Sequence, residues 1–195
     1  MWPALAAATA WPLWVAATSP LTAWRDAVHI GAVLAGVAGL ALILAQPLLV
    51  GGWLSGLPGR RVHRWVGVAL VLMVVAHIAG LWWTSPPDVM DALLLDSPTP
   101  FSLWGVLAMW AVFATAGLAA LRRRLRVRVW RLAHTALALV IVAGTVAHAL
   151  LVEGMMGELS KAALCGLALA ATGRVVFEMR VWALLKRRRV SPHPP

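Results

Sequence analysis

An all-α integral membrane protein, built as a bundle of six transmembrane helices, is the fold class this sequence predicts. Three observations predict it. Of the 195 residues, 62% are apolar and 12% charged, whereas soluble domains carry roughly 45–50% apolar and about 25% charged residues. Uncharged runs long enough to cross a bilayer recur along the chain, and the remaining charges are sorted by sign between alternate loops. The composition excludes a soluble enzyme domain, and the hydrophobicity excludes a disordered chain.

A bilayer core of roughly 30 Å takes about 20 apolar helical residues to cross. Five uncharged runs reach that length, within residues 1–24, 27–59, 65–87, 97–121 and 132–152. A sixth, around 159–177, carries Lys161 and Arg174. The first run is interrupted by Pro3, Pro12 and Pro20. A cleaved signal peptide or a helix lying in the interface are its alternatives. A signal peptide starts basic, and the first charge here is Arg25, so the run is read as a span. The spans are expected at about 2–20, 27–49, 62–84, 102–121, 129–152 and 159–181. They form one domain over residues 1–185, followed by a basic, proline-rich tail over 186–195.

The basic residues set the orientation. One set of loops holds Arg60, Arg61 and Arg64, then Arg122, Arg123, Arg124, Arg126, Arg128 and Arg131, and Lys186-Arg187-Arg188-Arg189 belongs with them. The opposite loops hold Asp26, Asp88, Asp91, Asp96, Glu153 and Glu158, with Arg25 and Lys161 for balance. Basic loops stay cytoplasmic, so both termini are expected there. The arginine run 122–131 is thus a topology signal and an attraction for anionic lipid, not a nucleic-acid site. The tryptophans near the span ends, Trp24, Trp82, Trp83 and Trp104 outside and Trp53, Trp65, Trp130 and Trp182 inside, read as interfacial belts.

Four of the six histidines carry the functional signal. His63 and His77 lie in the third span and His134 and His148 in the fifth, each pair 14 residues apart. Fourteen helical steps return to within about 40° of the same face after ~21 Å of rise. Each helix therefore shows two imidazoles on one stripe, one near each surface. The two spans run in the same direction, so His63 is level with His134 and His77 with His148. Local sequence repeats between them: Arg60 and Arg131 precede the inner histidines by three residues, and Val-Ala-His occurs at both outer ones.

Intramembrane ionisable residues are costly and point to function. The alternative, four buried side chains bonded across helices, does not explain the matched spacing. Two imidazoles at one depth, with no thiol or carboxylate beside them, suit the axial positions of a haem iron; zinc would want about four ligands. The single cysteine, Cys165, excludes covalent haem attachment, a four-cysteine cluster and a zinc ribbon. The expectation is two non-covalent b-type haems, ligated by His63 with His134 and by His77 with His148. A flat porphyrin wants small neighbours, and Gly67 lies one turn after His63 and Gly144 one turn before His148, with Ala138 and Thr145 on the same face. Close helix packing would also account for those small residues. Arg60, Arg61, Arg64 and Arg131 flank the inner pair as cations for haem propionates, with Arg25 and Lys161 at the outer level. His29 has no partner at matched spacing and is read as packing or a haem-edge contact. Arg174 either snorkels to the cytoplasmic surface or meets the inner haem edge. His193, in the tail, is expected to be exposed.

From about Trp24 to Phe177 the chain resembles the ferric reductase-like transmembrane domain. That family includes ferric-chelate reductases, NADPH oxidases and the haem subunit of the periplasmic methionine-sulfoxide reductase. The resemblance rests on Arg61-Val62-His63-Arg64-Trp65-Val66-Gly67, on His77, and on Trp130-Arg131-Leu132-Ala133-His134 with His148. It implies six helices with two haems stacked between the third and fifth. It also implies electron transfer from a reduced flavin at the cytoplasmic face to an acceptor outside, in a multi-pass protein of the bacterial inner membrane. Reductase and oxidase members continue into FAD- and NAD(P)H-binding domains. This sequence has no GxGxxG or other nucleotide-cradling loop, so the expected donor is a separate flavin-containing reductase or a quinol. The protein is then an oxidoreductase component, a ferric reductase-like cytochrome b. Two alternatives stand beside it. One is a quinone-linked cytochrome b subunit of a respiratory complex, although no quinone pocket is legible. The other is a metal-ion transporter, although transport sites favour broken helices near the midplane. The sequence carries no signal of oligomeric state.

Overall fold

The structure is a computed structural model that describes residues 2–54, 56 and 58–179. The basic tail with His193, and the last residues of the sixth expected span with Trp182, lie outside the described residues. The chain runs α1 (Trp2–Ala17), α2 (Ala27–Val50), α3 (Gly59–Thr84), α4 (Pro86–Leu93), α5 (Pro100–Ala120), α6 (Val127–Leu151) and α7 (Glu158–Glu178). Short 3₁₀ turns over Pro20–Trp24 and Arg122–Arg124 link α1 to α2 and α5 to α6. No strand occurs among the described residues.

Among the described residues five helices, α2, α3, α5, α6 and α7, are long and apolar enough to cross a membrane. With 16 residues, α1 rises only about 24 Å. Pro12 sits inside it, fully buried. Between two of the membrane-length helices, residues 86–93 form the short helix α4. Pro86 opens its first turn, where the missing N–H costs nothing. The chain leaves α4 through Leu95, whose φ of 62° is the left-handed conformation common just past a helix end.

Local chemistry explains the other boundaries. The Asp26 carboxylate accepts from the Val28 N–H at 2.7 Å and caps α2. Between α2 and α3, Gly52 takes a φ of +70°. At Gly59 a Cβ would stand 2.6 Å from the Leu49 carbonyl oxygen, so α3 can begin against the end of α2 only with glycine there.

Two antiparallel helix pairs dominate the packing, α2 with α3 and α5 with α6. α7 bridges them by packing on α2 and α6, and α1 closes over α2 and α7. The core sits where these meet, at Leu40, Ile43 and Leu44, Val112, Ile141 and Val142, and Leu164 and Ala168. Inside a bilayer, lipid is as apolar as leucine, so close approach through small residues holds helices together. α3 crosses α2 at Gly80, where a Cβ would lie 2.7 Å from that of Ala32. α6 crosses α5 at Gly144, where a Cβ would lie 3.2 Å from that of Ala108. By contrast, α3 and α6 are not among the closely packed pairs. α3 has one buried residue, Leu70. What faces what across that separation is the functional question.

Candidate functional site

The four histidines of α3 and α6 meet in two pairs. The His63 and His134 rings lie 6.1 Å apart between centroids with planes at 69°. The His77 and His148 rings lie 6.4 Å apart with planes at 80°. α3 and α6 therefore run parallel and in register, and the two levels are separated by ~21 Å of helical rise.

At the outer level each ring is tethered the same way by the other helix of its hairpin. His77 Nδ1 lies 2.8 Å from the Ala32 carbonyl oxygen of α2. His148 Nδ1 lies 2.9 Å from the Phe101 carbonyl oxygen of α5. A carbonyl only accepts, so in both rings Nδ1 carries the proton and donates. Nε2 is left with its lone pair free. Four residues beyond each carbonyl stands a glycine. A Cβ at Gly36 would come 2.9 Å from His77 Nδ1, and one at Gly105 would come 2.7 Å from His148 Nδ1. The glycines let the imidazoles reach the helix backbone. Phe101 also meets the His148 ring edge to face at 5.8 Å.

The inner level is built differently. The Gln46 side chain of α2 reaches His63 Nδ1 and the Gly67 backbone nitrogen. With its nitrogen toward His63, the amide donates to Nδ1 and to the His63 carbonyl at 3.3 Å, while its oxygen accepts from the Gly67 N–H at 3.0 Å. In the opposite orientation its oxygen can accept from a protonated Nδ1, but that oxygen then also faces the His63 carbonyl and its nitrogen faces the Gly67 N–H, so both of those bonds are lost. The amide's orientation follows the tautomer of His63. Among the described residues His134 has no such partner: its Nδ1 is buried and makes no hydrogen bond with them. Its ring stacks instead on Trp130, one turn back on α6, at 4.9 Å and 20°. The Arg122 guanidinium lies 5.6 Å over that indole.

The other candidates divide. Arg60, Arg61 and Arg64 are exposed at the start of α3 and Arg131 is half-buried on α6. Gly67 faces the Gln46 amide, 3.4 Å from where its Cβ would be. Gly144 faces α5, where a Cβ would lie 3.1 Å from the Trp104 carbonyl oxygen. Lys161 is buried and already paired, with Glu158 at 2.8 Å and the Val152 carbonyl oxygen at 2.9 Å. Arg174 pairs with Glu178 at 2.7 Å and lies 4.6 Å over the Trp53 ring, at the end of the bundle that carries the basic loops. His29 is half-buried near the start of α2. A cavity of about 350 Å³ lies between α1 and α7, against Trp11, Ala163 and Leu167, and no histidine lines it.

Gln46, Gly36, Gly105 and the carbonyls of Ala32 and Phe101 were not singled out in the sequence. A lone amide in an apolar run was a usable signal for Gln46. The glycines and carbonyls carried none, because their role depends on which residue of one helix faces the next.

Among the described residues, no three His, Cys, Asp or Glu side chains converge. The site is thus a membrane helix bundle carrying two imidazole pairs, one above the other. The family model described as "Ferric reductase like transmembrane component" matches residues 28–145, more than half of the chain, and the chain belongs to that family. The matched stretch contains His63, His77 and His134 and ends before His148. A second similarity is to a protein named fluoride-specific ion channel FluC 1 from Symbiobacterium thermophilum, 37% identical over 81 residues. That alignment covers 37% of this chain and 64% of the relative, so the chain spans less than two thirds of the relative's length. No solved structure matches the chain.

Proposed function

We propose that this membrane redox component is a di-haem b-type cytochrome, with His63 and His134 holding one haem and His77 and His148 the other. A metal–imidazole bond is about 2 Å, and a ring nitrogen lies about 1.1 Å from the ring centre. Two imidazoles holding one metal ion between them would then stand roughly 6.3 Å apart between centroids. The observed 6.1 and 6.4 Å fit that span. The donor chemistry fits as well, since a ligating histidine commonly donates its other N–H to a carbonyl, as His77 and His148 do. This doubled geometry is the observation that carries the reading.

Bound there, each haem would supply a one-electron couple. The chain's own residues do the rest: the tethers fix the ring planes, and ~21 Å of helix separates an inner from an outer site. Electrons would pass from the basic, cytoplasmic side to an acceptor outside. The donor is a separate flavin-containing reductase or a quinol, and both termini face the cytoplasm of the bacterial inner membrane, with α1 as the sixth span. Arg60, Arg61, Arg64 and Arg131 supply cations for the inner propionates. Among the described residues none of them pairs with a carboxylate.

Pyridine haemochrome analysis of the purified protein tests the assignment. It should give two b-type haems per chain, and His77→Ala should bring the value toward one. A wild type without haem, or one whose content His77→Ala leaves unchanged, would contradict it.

A further inference from the structure

The two levels differ in what holds the ligands, and the difference is concentrated in one side chain. The sequence contains a single side-chain amide, Gln46, and it lies against His63 within an otherwise apolar stretch of α2. A polar group at that depth is costly unless it is bonded. The outer rings are tethered by backbone carbonyls, which fix one tautomer and which no side-chain substitution removes. An amide has both a donor and an acceptor end. With its nitrogen toward His63 it bonds Nδ1, the His63 carbonyl and the Gly67 N–H, and with its oxygen there it serves the tautomer whose Nε2 is free to bind a metal. Among the described residues the inner pair has no second tether, because none of them bonds His134 Nδ1. Counting from the glycines, Gln46 stands ten residues after Gly36, and Thr115 stands ten after Gly105. The Thr115 hydroxyl is spent on the Ala111 carbonyl of its own helix at 2.7 Å. The hairpins repeat each other at the outer level and diverge at the inner one.

We infer that Gln46 is a positioning residue that orients His63 and, by accepting its Nδ1–H, sets the reduction potential of the inner haem independently of the outer. The inference rests on the di-haem reading. Donation from Nδ1–H raises the basicity of the ligating nitrogen, which favours the ferric state. Removing the acceptor favours the ferrous state.

Potentiometric titration of the purified protein tests this, with His77→Ala used to mark the inner component. Gln46→Leu should shift that component toward ferrous about fivefold at a fixed potential, the size of one net hydrogen bond. That is about 40 mV upward, at ~59 mV per tenfold for one electron. Gln46→Glu, a stronger acceptor, should shift the same component the opposite way, and the outer component should stay put in both. If Gln46→Leu loses the inner haem, Gln46→Glu decides by the same criterion. A two-haem wild type whose Gln46 variants titrate unchanged, or move both components alike, overturns this inference alone. A wild type without haem overturns it together with the di-haem reading.

Discussion

At the residue scale, each outer histidine depends on a carbonyl and a glycine one helical turn apart, Ala32 with Gly36 and Phe101 with Gly105. The ring nitrogen can reach the backbone only because no Cβ stands in the way. Gly36→Val and Gly105→Val should each displace one outer ring and lower haem content from about two per chain toward one. Gly117→Ala, in α5 with open space around it, should leave the content unchanged. Absorbance of the reduced protein after purification measures all three; equal haem in all of them would remove the glycines from the site. The histidines themselves were legible beforehand, since two 14-residue spacings put four imidazoles on two stripes. The residues that hold them were not. A backbone carbonyl has no sequence signature, and one glycine in a chain with 16 looks like another.

At the element scale, long apolar runs located five membrane-length helices, because hydropathy and span length are local properties. The proline-interrupted first run gives the 16-residue α1, which is not among them. α4 was hidden in a Pro-Pro-Asp segment that reads as a loop. The role of Lys161 was hidden too. As an outer-level cation it looked available to an anionic cofactor, but at the start of α7 it is committed to Glu158 and to the end of α6. That tie joins two helices and makes an asymmetric prediction. Lys161 is buried while Glu158 is mostly exposed, so Glu158→Gln leaves a buried charge short of its partner. Lys161→Met leaves only a solvated carboxylate. Removing a partner from a buried charge is the costly case. Because water reaches this pair, the excess cost of Glu158→Gln should be about 1–2 kcal/mol. Thermal unfolding in detergent should rank Glu158→Gln below Lys161→Met, and the reverse order would contradict the tie.

At the scale of the whole molecule, charge and the stacking of the two histidine pairs would give the proposed cytochrome a direction. Six arginines between Arg122 and Arg131 join Arg60, Arg61 and Arg64 on the face beside the inner pair. Such a patch attracts an acidic soluble partner and speeds encounter in a salt-dependent way. Replacing Arg123, Arg124 and Arg126 with Gln should slow reduction by a cytoplasmic flavoprotein, and the defect should shrink at high salt, where screening already slows the wild type. A triple variant reduced at the wild-type rate at low salt would leave the cluster as a topology signal and direct attention to a membrane quinol. With no nucleotide-cradling motif in the sequence, NADH or NADPH alone should leave the protein oxidised, and dithionite should reduce it.

The central claim is that the two histidine pairs together carry electrons across the membrane, and vectorial transfer in sealed proteoliposomes tests it most directly. With dithionite outside and ferricyanide trapped inside, vesicles containing the wild type should reduce the trapped acceptor. Vesicles containing His77→Ala or His63→Ala should fall to the protein-free leak. Full transfer by either variant, or none by a wild type that holds both haems, would contradict the account.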